Sequence, residues 1–280
     1  MGTPRHRSGS IAVAFVVLAV CSGGAERAQI PWETKLDRAS AAARAANQPM
    51  LIEFWAVWCE GCKEMDRDVY ASAQIAAAMR KVRAVKVDVD REPAVARKYE
   101  VSATPTLIVT DSFGRELFRY TGALPHDRMR QLLDALPADV SRINTLSAAL
   151  AVKKDDFAAS SGMGRELREA GFYRSSSEYY ARALRTREGR RDGEARAAIL
   201  IAMERNALEL RLFVDAERLC EQALKEVQGR PEEAGVLLDL GRALFGQDKA
   251  TEGRRVLQDL VSRHARTPAA AQAAVLLKDR

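Results

Sequence analysis

The stretch MLIEFWAVWCEGCK, residues 50–63, constrains this chain more than any other. The apolar block MLIEFWA follows the breaker Gln48-Pro49 and runs almost directly into two cysteines three apart, Cys59 and Cys62. So short and apolar a block, bounded by a breaker, suits a buried strand. From Lys63 to Met79 the pattern reads as helix, with a break near Tyr70-Ala71-Ser72. The cysteine pair therefore falls at a strand-to-helix junction, in the first turn of the helix.

That position decides what the pair can do. The first N–H groups of a helix lack intrahelical partners, and with the positive end of the dipole they stabilise an anion. A thiolate is such an anion, so Cys59 is expected to be readily ionised and nucleophilic near neutral pH. Cys62, nearly one turn on, lies within reach of a mixed disulfide formed at Cys59. A zinc site would need two more ligands. Cys21 and Cys220 are remote and His6, His126 and His264 form no paired spacing, so no metal is expected. An inert bridge would close too small a loop to stabilise much. Redox exchange, without a cofactor, is the chemistry the pattern favours over the other two.

The flanking segments supply a frame. Residues 33–47 are Ala-rich and helical in pattern; Val82–Val89 alternates as a second strand; Glu92–Tyr99 reads as a short helix. Two further strands, Thr106–Thr110 and Glu116–Tyr120, flank the turn Asp111-Ser112-Phe113-Gly114, which predicts an antiparallel hairpin. An amphipathic helix over Pro125–Leu136 closes the unit. This order predicts an α/β fold, a mixed central sheet with helices on both faces.

These residues resemble the thioredoxin family. The strand and WCEGCK turn, the Val101-Ser-Ala-Thr104-Pro105-Thr106 loop, Phe113-Gly114 and Thr121-Gly122-Ala123 all match its pattern, over roughly residues 30–137. Pro31-Trp32-Glu33 and the WCxxCK-E form look most like the C-terminal periplasmic domain of DsbD-type disulfide reductases. The resemblance implies roles. Cys59 would attack and Cys62 resolve, the two forming a redox-active disulfide. Glu53, six residues before Cys59, would be the buried acid that takes a proton from Cys62, with Lys86 as its partner. Trp58, Thr104, Pro105 and Gly122 would form the substrate-binding surface, the Thr104–Pro105 bond being cis, and Trp55 would be core. The family's Gly-Pro is replaced by Glu60-Gly61, and an acidic Glu60 near the thiolate is expected to favour a more reducing couple.

After Leu136-Pro137 the strand signals end. Segments starting at Gly171, Arg211 and Gly246 share a pattern in which the small residues Ser176, Ala216 and Gly253 correspond, and a helical stretch precedes each. Paired helices at such a period predict a helical-hairpin array resembling tetratricopeptide repeats. The expected organisation is a thioredoxin-like domain over 29–137, a linker over 138–155 and the repeats over 156–280.

At the other end Arg5, His6 and Arg7 precede the apolar run Ile11–Val20 and the small residues CSGGA. This is the pattern of a signal peptide over 1–25, which predicts export to the periplasm or cell envelope. Leu18-Ala19-Val20-Cys21 also resembles a lipoprotein signal, in which Cys21 would carry lipid. The net charge of +6 is spread among carboxylates, with no aromatic-flanked basic cluster, so nucleic acid is not an expected partner. The chain thus reads as an exported thiol–disulfide oxidoreductase that reduces extracytoplasmic proteins. Its partners would be protein thiols and disulfides, a membrane or periplasmic redox donor, and a protein bound by the repeats. The competing reading is a chaperone or assembly adaptor whose thioredoxin-like domain mainly docks partners.

Overall fold

The computed structural model describes residues 29–279; the expected signal segment and Cys21 lie outside them. Four strands, β1 (Met50–Trp55), β2 (Arg83–Asp88), β3 (Thr106–Thr110) and β4 (Glu116–Thr121), form one sheet in the order β2-β1-β3-β4. The β1–β2 pair is parallel; β1–β3 and β3–β4 are antiparallel. Having neighbours on both sides, β1 can be apolar on both faces. Met50, Ile52 and Phe54 pack with α1 (Leu36–Ala46), and Leu51 faces the opposite side, where most of the helices that follow the cysteines lie.

Those helices are α2 (Glu60–Asp68), α3 (Ala73–Ala78), α4 (Pro93–Lys98) and α5 (His126–Ala135). Met65, Ile75, Met129 and Leu133 of α2, α3 and α5 cover the Leu51 face, while Ala96 of α4 joins α1 on the other. The first helix starts three residues later than its composition suggests. Glu33 instead bridges to β2, its N–H donating to Ala84 O (2.9 Å) and its carbonyl accepting from Lys86 N (3.0 Å). This short bridge continues the sheet beyond β2.

The expected linker over 138–155 contains a twelve-residue helix, α6 (Ser141–Val152). It is anchored to the sheet end away from the cysteines. Val140 N donates to Asn47 O (2.8 Å), and Asn144 accepts from Ser112 N (3.2 Å) and donates to Ser112 Oγ (3.1 Å). Few of its apolar residues face inward and a buried Asn does much of the anchoring, so hydrophobic periodicity did not reveal it.

Paired helices follow: α7 (Phe157–Glu169) with α8 (Tyr173–Arg185), α9 (Arg187–Arg191), α10 (Gly193–Glu209) with α11 (Phe213–Val227), α12 (Glu233–Gly246) with α13 (Ala250–Arg263), and α14 (Pro268–Asp279). The first pair is continuous with the sheet. Met163, Leu167 and Phe172 belong to the same core as Val109 and Leu117, and Phe172 stacks on Phe118 of β4 at 5.1 Å between ring centroids. The first hairpin thereby extends the apolar core on that face of the sheet.

The three hairpin turns are built alike. Gly171, Arg211 and Asp248 each have positive φ (74°, 56° and 60°). In each turn that residue's N–H and the next one's reach back to the preceding helix, as in Gly171 N to Arg168 O (2.9 Å) and Phe172 N to Leu167 O (2.8 Å). This is the Schellman arrangement, which satisfies terminal carbonyls with a left-handed residue. Helix contacts also correspond. A Cβ on Gly164 would lie 2.6 Å from the Tyr180 ring, and one on Gly241 2.3 Å from Leu257. At the matching positions of the middle hairpin the sizes are exchanged, with Glu204 against Cys220, whose Sγ donates to Glu204 Oε2 (2.5 Å).

Left-handed backbone costs a non-glycine residue about 1 kcal/mol, a cost Gly avoids at the equivalent turn. Asp248→Gly should therefore stabilise the chain by roughly 0.5–1 kcal/mol and Gly171→Ala destabilise it by about 1 kcal/mol, as measured by urea titration.

Candidate redox site

β1 ends at Trp55, and four residues later Cys59 serves as the N-cap of α2, where Cys62 N donates to its Sγ (3.1 Å). The sulfur thus satisfies one of the helix's orphan N–H groups, the arrangement expected to favour a thiolate. Cys59 and Cys62 are joined as a disulfide. Both are nearly sealed, at 4% and 1% exposure, whereas Val57 and Trp58 beside them are 65% and 63% exposed. Trp58 is not free to swing, because its ring N–H donates to Asp90 Oδ2 (2.8 Å). The result is an enclosed disulfide beneath an exposed apolar lip.

The loop opposite is in place. The Thr104–Pro105 bond is cis, and a Cβ on Gly61 would lie 3.1 Å from Pro105 Cδ. Gly61 therefore lets the turn and the proline loop approach closely, a role its spacing alone did not reveal. Gly122 holds φ at +109° while its N–H donates to Pro105 O (2.8 Å), a conformation that suits glycine. Thr104 Oγ1 is buried, with no hydrogen-bond partner among the described residues.

Behind the cysteine turn lies a buried charge cluster. Glu53 is fully buried and opposite Lys86 in the β1–β2 register, with Lys86 Nζ 3.3 Å from Glu53 Oε2. Lys86 also pairs with Asp66 of α2. Its ammonium lies over three rings, those of Trp32 (5.0 Å), Tyr70 (5.1 Å) and Trp55 (5.8 Å). Aromatic faces attract a cation and replace part of its lost hydration. Burial holds the Glu53 carboxyl up at about 7, and Lys86 opposes that rise. The Tyr70 hydroxyl is pushed upward too, first by burial and then by the neighbouring Glu53 charge.

Sequence reasoning named Glu53 and Lys86 but missed Asp66, Tyr70 and Trp32. Asp66 stands four residues after Cys62, one helical turn along the same face, which is a usable signal. Nothing local points to the two aromatic partners. Glu60, expected to favour a more reducing couple, is an exposed partner of Lys63 at 2.7 Å, and that hydrogen bond lowers its own pKa. The adjacent positive charge offsets the field Glu60 would place on the sulfur. The described residues contain no group of side chains that could hold a metal ion.

A disulfide capping a helix, facing a cis-proline loop and backed by a buried acid on a mixed sheet, defines a thiol–disulfide exchange protein. Comparisons with known proteins agree. The family model described as Thioredoxin matches residues 34–135. Thioredoxin 1 of Chlorobaculum tepidum is 35% identical over 89 residues, covering 31% of this chain and 84% of that protein. Thiol:disulfide interchange protein DsbD 2 of Pseudomonas aeruginosa is 36% identical over 86 residues, 29% of this chain but 15% of that protein. Among solved structures, Fasciola hepatica thioredoxin is 28% identical, covering 36% of this chain and 92% of its own, with a TM-score of 0.31. The chain belongs to the thioredoxin family and carries a protein-disulfide oxidoreductase domain.

Glu53 and the similarly buried Glu204, held at about 8 chiefly by burial, both have folded pKa values above their ordinary 4.5. Each group binds its proton more tightly when folded, so the stability each one contributes is fullest below about pH 4.5 and is lost as pH rises through about 7 and 8. Glu53→Gln should remove roughly 2–3 kcal/mol of the decline between pH 5 and 8, with Glu204→Gln removing a separate share, as read from urea midpoints across pH.

Proposed function

We propose that this chain is an exported thiol–disulfide oxidoreductase that reduces disulfides of extracytoplasmic proteins, its helical pairs being tetratricopeptide-like repeats that bind protein partners. The observation that carries the redox part is the placement of Cys59 as the cap of α2, in a turn whose Gly61 lies against Pro105 and which follows the strand of buried Glu53. The signal-like residues 1–25 motivate export, with Cys21 as a potential lipid attachment point. Partner recognition is motivated by hairpins that share turn and contact geometry, since stacked helical pairs build extended concave surfaces.

The proposed reaction starts from the dithiol. The Cys59 thiolate attacks one sulfur of a substrate disulfide, forming a Cys59–substrate mixed disulfide and releasing the other substrate sulfur as a thiolate, which takes a proton from water. Glu53 accepts the proton of Cys62, a task suited to a carboxyl whose pKa of about 7 lies near working pH. The Cys62 thiolate then attacks Cys59 Sγ and expels the second substrate sulfur, which is protonated in turn. Two electrons pass to the substrate, and the chain is left with its Cys59–Cys62 disulfide. A dithiol donor, such as a membrane reductase, must restore the reduced form, because an oxidising compartment will not. Val57 and Trp58 would receive the substrate's apolar surface, while backbone around Thr104 and Pro105 pairs with its extended segment.

Cys62→Ser should accumulate substrates as mixed disulfides on Cys59, visible as dithiothreitol-sensitive adducts on non-reducing gels. Cys59→Ser should abolish insulin-disulfide reduction by at least 100-fold. If Cys59→Ser retained full function in cells and no adduct formed, the adaptor reading would replace this one.

A further inference from the structure

The repeats contain a groove unrelated to the cysteine site. It has a volume of about 600 Å³ and lies among α7, α10, α12 and α14, with Phe213 of α11 at one side. Each of the first three helices contributes one arginine: Arg168, Arg205 and Arg242. Arg205 and Arg242 stand at the same position relative to their hairpin turns; Arg168 is about one helical turn further along α7. Leu208, Phe213 and Leu238 supply apolar surface between them.

The arginines are held upright by the groove wall. Arg205 Nε and Arg242 Nη1 donate to the two oxygens of Asp239 (3.4 and 3.0 Å), Arg242 Nη2 donates to Gln272 Oε1 (2.9 Å), and Arg168 Nη1 donates to Asn206 Oδ1 (3.3 Å). Asp239 is buried beneath the pair it serves, at 8% side-chain exposure, while Arg205 and Arg242 remain 49% and 44% exposed. Each guanidinium has five N–H donors, and the wall contacts use one or two of them. The other carboxylate there is Glu209, which leaves the arginine charge in excess.

We propose that this groove binds an acidic segment of a partner protein, one whose carboxylates alternate with apolar side chains. Resting on the reading of the helices as a recognition module, the proposal names the chemistry of what they recognise. Planar guanidinium forks match carboxylates bidentately, and fixed arginines lose less conformational freedom on binding than loose ones. Leu208, Phe213 and Leu238 offer apolar surface to side chains a purely polar ligand would lack.

The test uses the full chain and fluorescence anisotropy with three labelled probes: the peptide (Glu-Glu-Leu)3, its Lys-for-Glu counterpart, and a ten-nucleotide oligothymidylate. Saturable binding of the Glu peptide alone is expected, weakening at least fivefold between 50 and 200 mM salt. Arg168→Gln and Arg205→Gln should each weaken it at least threefold, whereas Arg187→Gln, at an exposed position on α9, should leave it unchanged. Arg168 faces the neutral Asn206, so its variant does not strand a buried charge; Arg205→Lys keeps a cation beside Asp239 and should lose affinity while preserving the melting temperature. The same Kd in a Cys59→Ser/Cys62→Ser background would support the groove irrespective of the redox chemistry. Absence of saturable binding, equal loss in Arg187→Gln, or oligothymidylate binding that depends equally on Arg168 and Arg205 would overturn the proposal.

Discussion

A carboxylate buried in the central strand is the constraint around which the first domain is arranged. β1 has a strand on each side and helices on both faces, so Glu53 has no route to water. An ionised carboxylate in such a place costs several kcal/mol unless compensated. Compensation comes from Lys86, delivered by parallel pairing of β2 in the one register that puts the two residues opposite. Lys86 must in turn be held without much water, and the rings of Trp32, Tyr70 and Trp55 do this, with Asp66 as second counter-ion. The position of the cluster gives it purpose: two residues past Glu53 the strand ends and the cysteine turn begins.

The helical region is an extension of that core as much as an addition to it. Phe118 on the edge strand stacks with Phe172 of the first hairpin, and α6 ties the opposite end of the sheet through Asn144 and Ser112. Motion of the first hairpin relative to the sheet would break a shared apolar core, whereas the later pairs form separate clusters of their own. The middle hairpin also shows how a repeat tolerates variation. Where its neighbours set glycine against Tyr180 or Leu257, it sets Glu204 against Cys220, conserving summed volume while burying a carboxyl that is easier to keep protonated than ionised.

Legibility in the chain followed the range of the interactions. The strands were readable because alternation, a breaker before Met50 and the Asp111–Gly114 turn are local signals, and their observed limits fall within a residue or two of those expected. The cysteine pair was readable because a strand, a short gap and a helix start follow one another directly. Glu53 and Lys86 were found through a resemblance; the structure adds their 3.3 Å approach. α6 escaped because its anchors, Val140 and Asn144, bond to residues roughly 30 to 100 positions away, and no periodic pattern encodes that. Glu33 was counted with a helix because composition cannot reveal that β2 offers it an open edge.

By itself, then, the amino-acid order determined the succession of elements, the strand-to-helix setting of Cys59 and Cys62, and the change from sheet to helices after Pro137, all of which depend on neighbours within a few residues. Tertiary structure alone decided that Trp32 and Tyr70 close over Lys86, that Gly61 lies against Pro105, and that three arginines from separate helices line one groove. Those arrangements depend on how twisted sheet and stacked helices bring distant residues together in three dimensions, a relation that linear spacing does not contain.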